Sequence, residues 1–203
     1  VRELGGDVLY APEPENMYAP DHATWVEVPA LANTLCGLSR PIHFRGVCTV
    51  VLKLFMLAQP SLAVFGEKDW QQLAIIKKMV SDLNVPVEVV GRPIVREADG
   101  LALSSRNVYL TPEERAQAPQ IRKSLEMAAG LAAGGERDAA RIIEAVRGYL
   151  AEHLPTGEED YISIVDPAVL TKVDRIEDMA LCALAIRLGK ARLIDNILLK
   201  VGE

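Results

Sequence analysis

At 203 residues, half of them apolar and a quarter charged, the chain is long enough for one large or two small domains that need no disulfide or metal staple to bury a core. Its net charge of −6 disfavours a general nucleic-acid-binding role, and no apolar run reaches the ~18 residues of a membrane span. Three widely spaced cysteines, Cys36, Cys48 and Cys182, form no Cys-x-x-Cys pair, so a disulfide framework and a zinc ribbon are both disfavoured and a reducing cytoplasm is expected.

In chain order, the first predicted elements are short strands at Asp7–Tyr10 and Thr24–Val28, then a helix over Pro29–Cys36 ended by Gly37. Apolar residues at Val47, Val50, Val51, Leu54 and Ala58 have helical spacing, closed by Gln59-Pro60. Leu62–Phe65 reads as a strand buried on both faces, Asp69–Leu83 as an amphipathic helix and Pro86–Val90 as a second buried strand. That strand-helix-strand order predicts a parallel, doubly wound sheet. The pattern changes after Arg92-Pro93, and a domain boundary is placed near residue 95, dividing the chain into 1–94 and 95–203. Residues 95–110 read as loop. Thr111-Pro112-Glu113-Glu114 is a helix start, and helices are expected over 112–132 and 136–153 around Gly134-Gly135. Tyr161–Val165, Ala180–Leu188 and Ala191–Leu199 close the chain as strands of a small mixed sheet. Cys48 and Cys182 read as core residues, and His22 and His153 as surface residues.

Three clusters carry chemistry. Residues 28–66 hold no carboxylate, yet they contain Arg40, His43, Arg45 and Lys53. Such a local positive stretch suits a small anion, best placed at Arg40 and His43, where Pro41 fixes the loop and Phe44 adds an apolar wall. Phe65-Gly66-Glu67-Lys68-Asp69 ends a strand and opens a helix, the place where open α/β sheets bind ligands and where Lys68 can meet a phosphate. Spacing alone leaves two readings open there, because Asp69 with Gln72 also makes an acceptable helix cap and Lys68 a solvated lysine. In Leu103-Ser104-Ser105-Arg106-Asn107, two hydroxyls and an arginine can bind phosphate oxygens, though serine-rich loops are common. No Ser-His-Asp triad and no metal-spaced His/Cys set can be argued.

These segments together resemble the pantothenate synthetase family. Arg40-Pro41-Ile42-His43-Phe44-Arg45-Gly46-Val47 is similar to its Arg-Pro-Gly-His-Phe-x-Gly-Val loop, and Phe65 to Gln72 to its Phe-Gly-Glu-Lys-Asp-Tyr-Gln-Gln motif. Val95 to Asn107 resembles its Arg-Glu-x-Asp-Gly-Leu-Ala-Met-Ser-Ser-Arg-Asn stretch, and Met17-Tyr18 and Arg192 to Asn196 extend the likeness along the chain. The resemblance implies a Rossmann-like domain followed by a smaller α+β domain, in a cytoplasmic, homodimeric enzyme. Such an enzyme joins pantoate to β-alanine through a pantoyl-adenylate, using ATP and Mg²⁺. By that likeness Gly66, Glu67, Lys68, Asp69, Val95, Leu103, Ser104, Ser105 and Arg106 contact ATP, with Lys68, Ser104, Ser105 and Arg106 acting in catalysis. Gln72, Arg40 and His43 would hold pantoate. The chain departs from the family where Cys36 replaces a usual Glu and Ile42 a usual Gly. The His-x-Gly-His and Asn-x-x-Gln segments are not among these residues. The expectation is therefore an enzyme read without its N-terminal third, weakly active or inactive as this piece. The alternatives are a non-catalytic nucleotide-binding module or another adenylyl-transferring enzyme of the same superfamily.

Overall fold

The structure, a computed structural model, describes residues 2–202. Short helices α1 (Pro14–Met17), α2 (Pro29–Ala32) and α3 (Cys36–Ser39) precede the long α4 (His43–Ala58). Strand β1 (Leu62–Gly66), helix α5 (Trp70–Asp82) and strand β2 (Glu88–Arg92) then form one parallel β-α-β unit, with Leu62 opposite Glu88 and Gly66 opposite Arg92. The unit forms because α5 is apolar along one stripe. Leu73, Ile76 and Met79 are buried against the sheet and α4, where Phe55 meets Phe65 edge-on at 6.4 Å between ring centres. The opposite face of β1 is open: Leu62 and Val64 are exposed, so among the described residues only one face is covered.

Two other expectations for this part are corrected. Asp7–Tyr10 and Thr24–Val28 are not strands. A strand exists only by pairing its backbone, and the N–H of Val26 goes instead to the Oγ1 of Thr49 on α4 at 3.0 Å. The helix expected over Pro29–Cys36 is split into α2 and α3, because Leu35 takes a left-handed φ of 46° that ends any helix. Gly37 permits the fold-back. A Cβ there would lie 1.6 Å from the carbonyl oxygen of Ala32.

The second part holds α6 (Pro112–Gln117), α7 (Gln120–Ala133), α8 (Ala139–His153) and strands β3 (Gly157–Val165), β4 (Met179–Leu188) and β5 (Ala191–Lys200). The capping box of Thr111 and Glu114 is present as expected. The helix expected over 112–132 breaks at Ala118-Pro119, since proline brings no N–H and its ring excludes the preceding turn. The sheet, in order β3-β4-β5, is wholly antiparallel rather than mixed.

Both faces of that sheet are covered. Cys182, Leu184 and Ile186 face a core built with α7 and α8, whereas Leu181 and Ala183 pack into the core shared with α2–α5. Alternate residues of β4 thus belong to different cores, which is why the strand is apolar almost throughout. Cys48 and Cys182 are buried core residues as expected, with burial raising their thiol pKa values to about 11 and about 12.

Candidate functional site

At the carboxyl end of β1 the chain leaves the sheet through a single 3₁₀ turn, Glu67–Asp69, before α5 begins. This turn, the start of α4 and one face of the antiparallel sheet enclose a cleft of about 390 Å³. Six of the residues expected from the sequence line it: Arg40, His43, Lys68, Asp69, Gln72 and Arg106. They come from three segments far apart in sequence. Gly66 ends the strand at the mouth with an extended backbone, and a Cβ there would meet no protein atom within 4 Å, leaving room for a ligand.

The turn carries no helix cap, and its lysine is hydrogen-bonded. Asp69 makes no side-chain capping bond to α5, so Gln72 is not tied back as a cap and instead faces the cleft. Lys68 is half-buried, and its Nζ donates to the carbonyl oxygen of Leu103 at 3.1 Å. Burial lowers the pKa of Lys68, partly opposed by the Asp69 and Asp195 charges. His43 is lowered as well, by burial first and then by the neighbouring Arg40, so its imidazole is mostly neutral near pH 7. Arg40, Lys68 and Arg106 enter no ion pair among the described residues. Three cations without an ion-pair partner, with only Asp69 and Asp195 as carboxylates on the same lining, suit the cleft to a multiply charged anion. The acid-free stretch divides accordingly, because Arg45 pairs with Glu27 and stacks on Trp25, and Lys53 lies over Tyr18, both away from the cleft.

The remaining expected residues stand behind or beside this wall. Leu103 contributes its carbonyl, and its N–H bonds the carbonyl of Val95 at 2.9 Å. The Oγ of Ser104 accepts from the N–H of Arg106, starting the turn Ser105–Tyr109 that presents Arg106. Glu97 braces the same loop, accepting from the Nδ2 of Asn107 at 2.7 Å and from Arg115 at 2.6 Å. Those hydrogen bonds, Asn107 first, hold its carboxyl below the usual range. Gly66, Glu67, Val95, Ser104 and Ser105 do not line the cleft themselves.

A second cluster was not anticipated. Asp160 is the extra residue of a β-bulge in β3, which turns its carboxylate onto Arg192 at 2.6 Å and Ser39 at 2.9 Å. Burial raises its pKa, but the bonds from Arg192 and Ser39 outweigh burial and leave it lowered. Arg192 also lies 3.5 Å from the Sγ of Cys36, itself 3.3 Å from the hydroxyl of Tyr161, so the thiol at the usual Glu position sits inside a polar wall. Burial and the adjacent Cys36 push the Tyr161 phenol well above its ordinary value. Sequence signals existed: Arg192 interrupts an apolar strand, and Gln71 lies on the apolar stripe of α5. Gln71 is buried and ties α5 to the α2–α3 turn by bonds to Cys36 N, Leu31 O and Thr34 O.

Comparison with known proteins accords with this geometry. A family model described as pantoate-beta-alanine ligase matches residues 1–198. The pantothenate synthetase of Nitratidesulfovibrio vulgaris (strain Miyazaki F) is 66% identical over 98% of this chain and 70% of its own length, and that of Heliobacterium modesticaldum is 51% identical over 97% and 70%. The crystal structure of pantothenate synthetase from Thermus thermophilus superposes with a TM-score of 0.92 at 46% identity, covering 97% of this chain and 71% of that one. A pantoate-beta-alanine ligase from Francisella tularensis, solved in complex with beta-gamma ATP and beta-alanine, gives 0.74 at 30% identity over 97% and 66%. With its motifs in order and its fold shared along nearly the whole length, the chain belongs to the pantoate-beta-alanine ligase family.

Proposed function

We propose that this protein condenses pantoate with β-alanine at the expense of ATP, through a pantoyl-adenylate. The observation that carries the reading is the meeting of Arg40, Lys68 and Arg106, three cations without carboxylate partners, at the carboxyl end of β1. In the first step a pantoate carboxylate oxygen attacks the α-phosphorus and the bond to pyrophosphate breaks. In the second the β-alanine amine attacks the acyl carbon, AMP leaves and the amine loses a proton. The first step concentrates negative charge on the triphosphate, so Lys68 and Arg106 act as its clamp, and each such donor is worth ~10²–10³-fold in rate. Gln72, Arg40 and His43 face the space left for pantoate, with Phe44 as its apolar wall. Ser104, Ser105 and the backbone of Leu103 and Val95 are proposed to join the clamp from the neighbouring loop, and Gly66 and Glu67 to contact the nucleotide from the turn.

Mg²⁺ enters as part of the ATP substrate. A cation arriving on a triphosphate keeps most of its waters and needs only one or two carboxylates. Among the described residues no group of three His, Cys, Asp or Glu could hold a metal alone, and Asp69, exposed in the cleft, fits that lighter demand. We also propose a division into a nucleotide- and pantoate-binding domain (1–94) and a smaller domain (95–203), supported by the parallel pair lying wholly in the first part and the antiparallel sheet wholly in the second. A homodimer in the cytoplasm completes the proposal. Three buried cysteines free of disulfides suit a reducing compartment, and among the described residues no helix is long and apolar enough to cross a membrane.

The test is product analysis on the purified protein with pantoate, β-alanine and MgATP, following pantothenate, AMP and pyrophosphate. Equal amounts of all three are expected, with pyrophosphate released from pantoate and ATP before β-alanine is added. ADP instead of AMP would overturn the adenylate route.

A further inference from the structure

We infer that Asn196 is a positioning residue that sets the Lys68 turn. It works with its neighbour Asp195 as a two-residue gauge between the segments bearing Lys68 and Arg106. The inference rests on the ATP-site reading above. Asn196 lies on β5, outside the three motif clusters, and is buried. Its Nδ2 donates to two successive carbonyls of the turn, Glu67 O at 2.9 Å and Lys68 O at 3.1 Å. Both amide hydrogens are thereby used on one backbone segment. Among the described residues the turn has no side-chain cap at either end. Its position is therefore fixed from the antiparallel sheet.

Asp195 performs the matching task for the other segment. Its two carboxylate oxygens accept from Arg96 at 2.7 and 2.9 Å, and Arg96 also donates to the carbonyl of Gly100 at 3.0 Å. The bridge between Arg96 and Ala102 closes that loop, which continues directly into Leu103 and the Arg106 turn. Successive residues of a strand point to opposite faces, so one step along β5 holds the two anchors apart. The gauge closes where the Nζ of Lys68 meets the carbonyl of Leu103. A clamp acting on a triphosphate from two segments depends on their separation, and about 1 Å of misplacement can cost ~10²-fold.

The experiment compares Asn196→Ala, and Asn196→Leu, which keeps volume without a donor, with the wild-type full chain. Three measurements are made: MgATP affinity by calorimetry, hydrogen exchange of the 66–72 backbone, and melting temperature. We expect both variants to fold, MgATP affinity to fall about tenfold or more, and exchange to quicken at 66–72 while β4 is unchanged. In a Lys68→Ala background the same substitutions should add less than about threefold, because the turn has then lost its one cation for the triphosphate. Affinity within twofold of wild type, additive effects with Lys68→Ala, or failure of both variants to fold would each overturn the inference and leave Asn196 a structural residue. If wild type itself does not bind MgATP, the ATP-site reading fails. In that case the exchange data still decide whether Asn196 holds the turn.

Discussion

Lys68 is held in a cleft that desolvates its ammonium and gives it a carbonyl rather than a carboxylate as partner. A triphosphate supplies the missing counter-charge, so Lys68→Ala in the full chain should lose about 3 kcal/mol or more in adenylate formation with melting little changed, read by pyrophosphate release beside a thermal scan. A solvated lysine would show no such loss. Gln72→Glu probes the neighbouring turn of α5. No capping bond is broken, so stability should hold, whereas a new negative charge facing the cleft should raise the KM for pantoate at least about tenfold. Unchanged pantoate saturation would remove Gln72 from the site. Asp160 gives a pH test. Its pKa is lowered in the folded protein, so its contribution to stability is complete above the ordinary carboxylate range near ~4 and is lost as pH falls through its depressed folded value. The stability difference between wild type and Asp160→Asn should accordingly shrink on acidification below pH ~4, and a difference independent of pH would contradict the ion-pair account. At this scale the sequence showed Arg40, His43, Lys68 and Arg106 through their neighbours. It hid Asp160 and the pairing of Asp160 with Arg192, because a β-bulge and a contact across 32 positions leave no local pattern.

Among the elements, those with strong periodicity or explicit caps were legible within a few residues: α4, α5, α8 and the three closing strands. Thr111→Ala removes one half of a capping box and should cost about 1 kcal/mol, checked by denaturant titration. Leu125 is fully buried where α7 meets the sheet, and Leu125→Ala should cost ~2–5 kcal/mol by the same measurement. The misread elements share a cause. Asp7–Tyr10 and Thr24–Val28 have strand-like composition, yet strands are made by partners, and composition does not say whether one is present. Leu35, a leucine in left-handed conformation, breaks a helix that propensity alone would continue.

In the whole molecule, one antiparallel sheet serves two cores, and the cleft forms where one of its faces meets the turn after β1. That meeting was not legible from sequence, since it depends on which face of β4 and β5 each half of the chain covers. It has an optical consequence. The chain has two tryptophans; Trp25 is about half-exposed beside Arg45, whereas Trp70 lines the cleft and donates its indole N–H to the carbonyl of Pro167 at 2.8 Å. With Trp25 replaced by Phe, Trp70 is the one tryptophan of these residues, selectively excited on the cleft wall, its ring tethered to the second half of the chain while its backbone opens α5. Emission from that one ring should change saturably as MgATP is titrated, with a midpoint matching calorimetry, so the tether makes filling of the cleft visible without any added label.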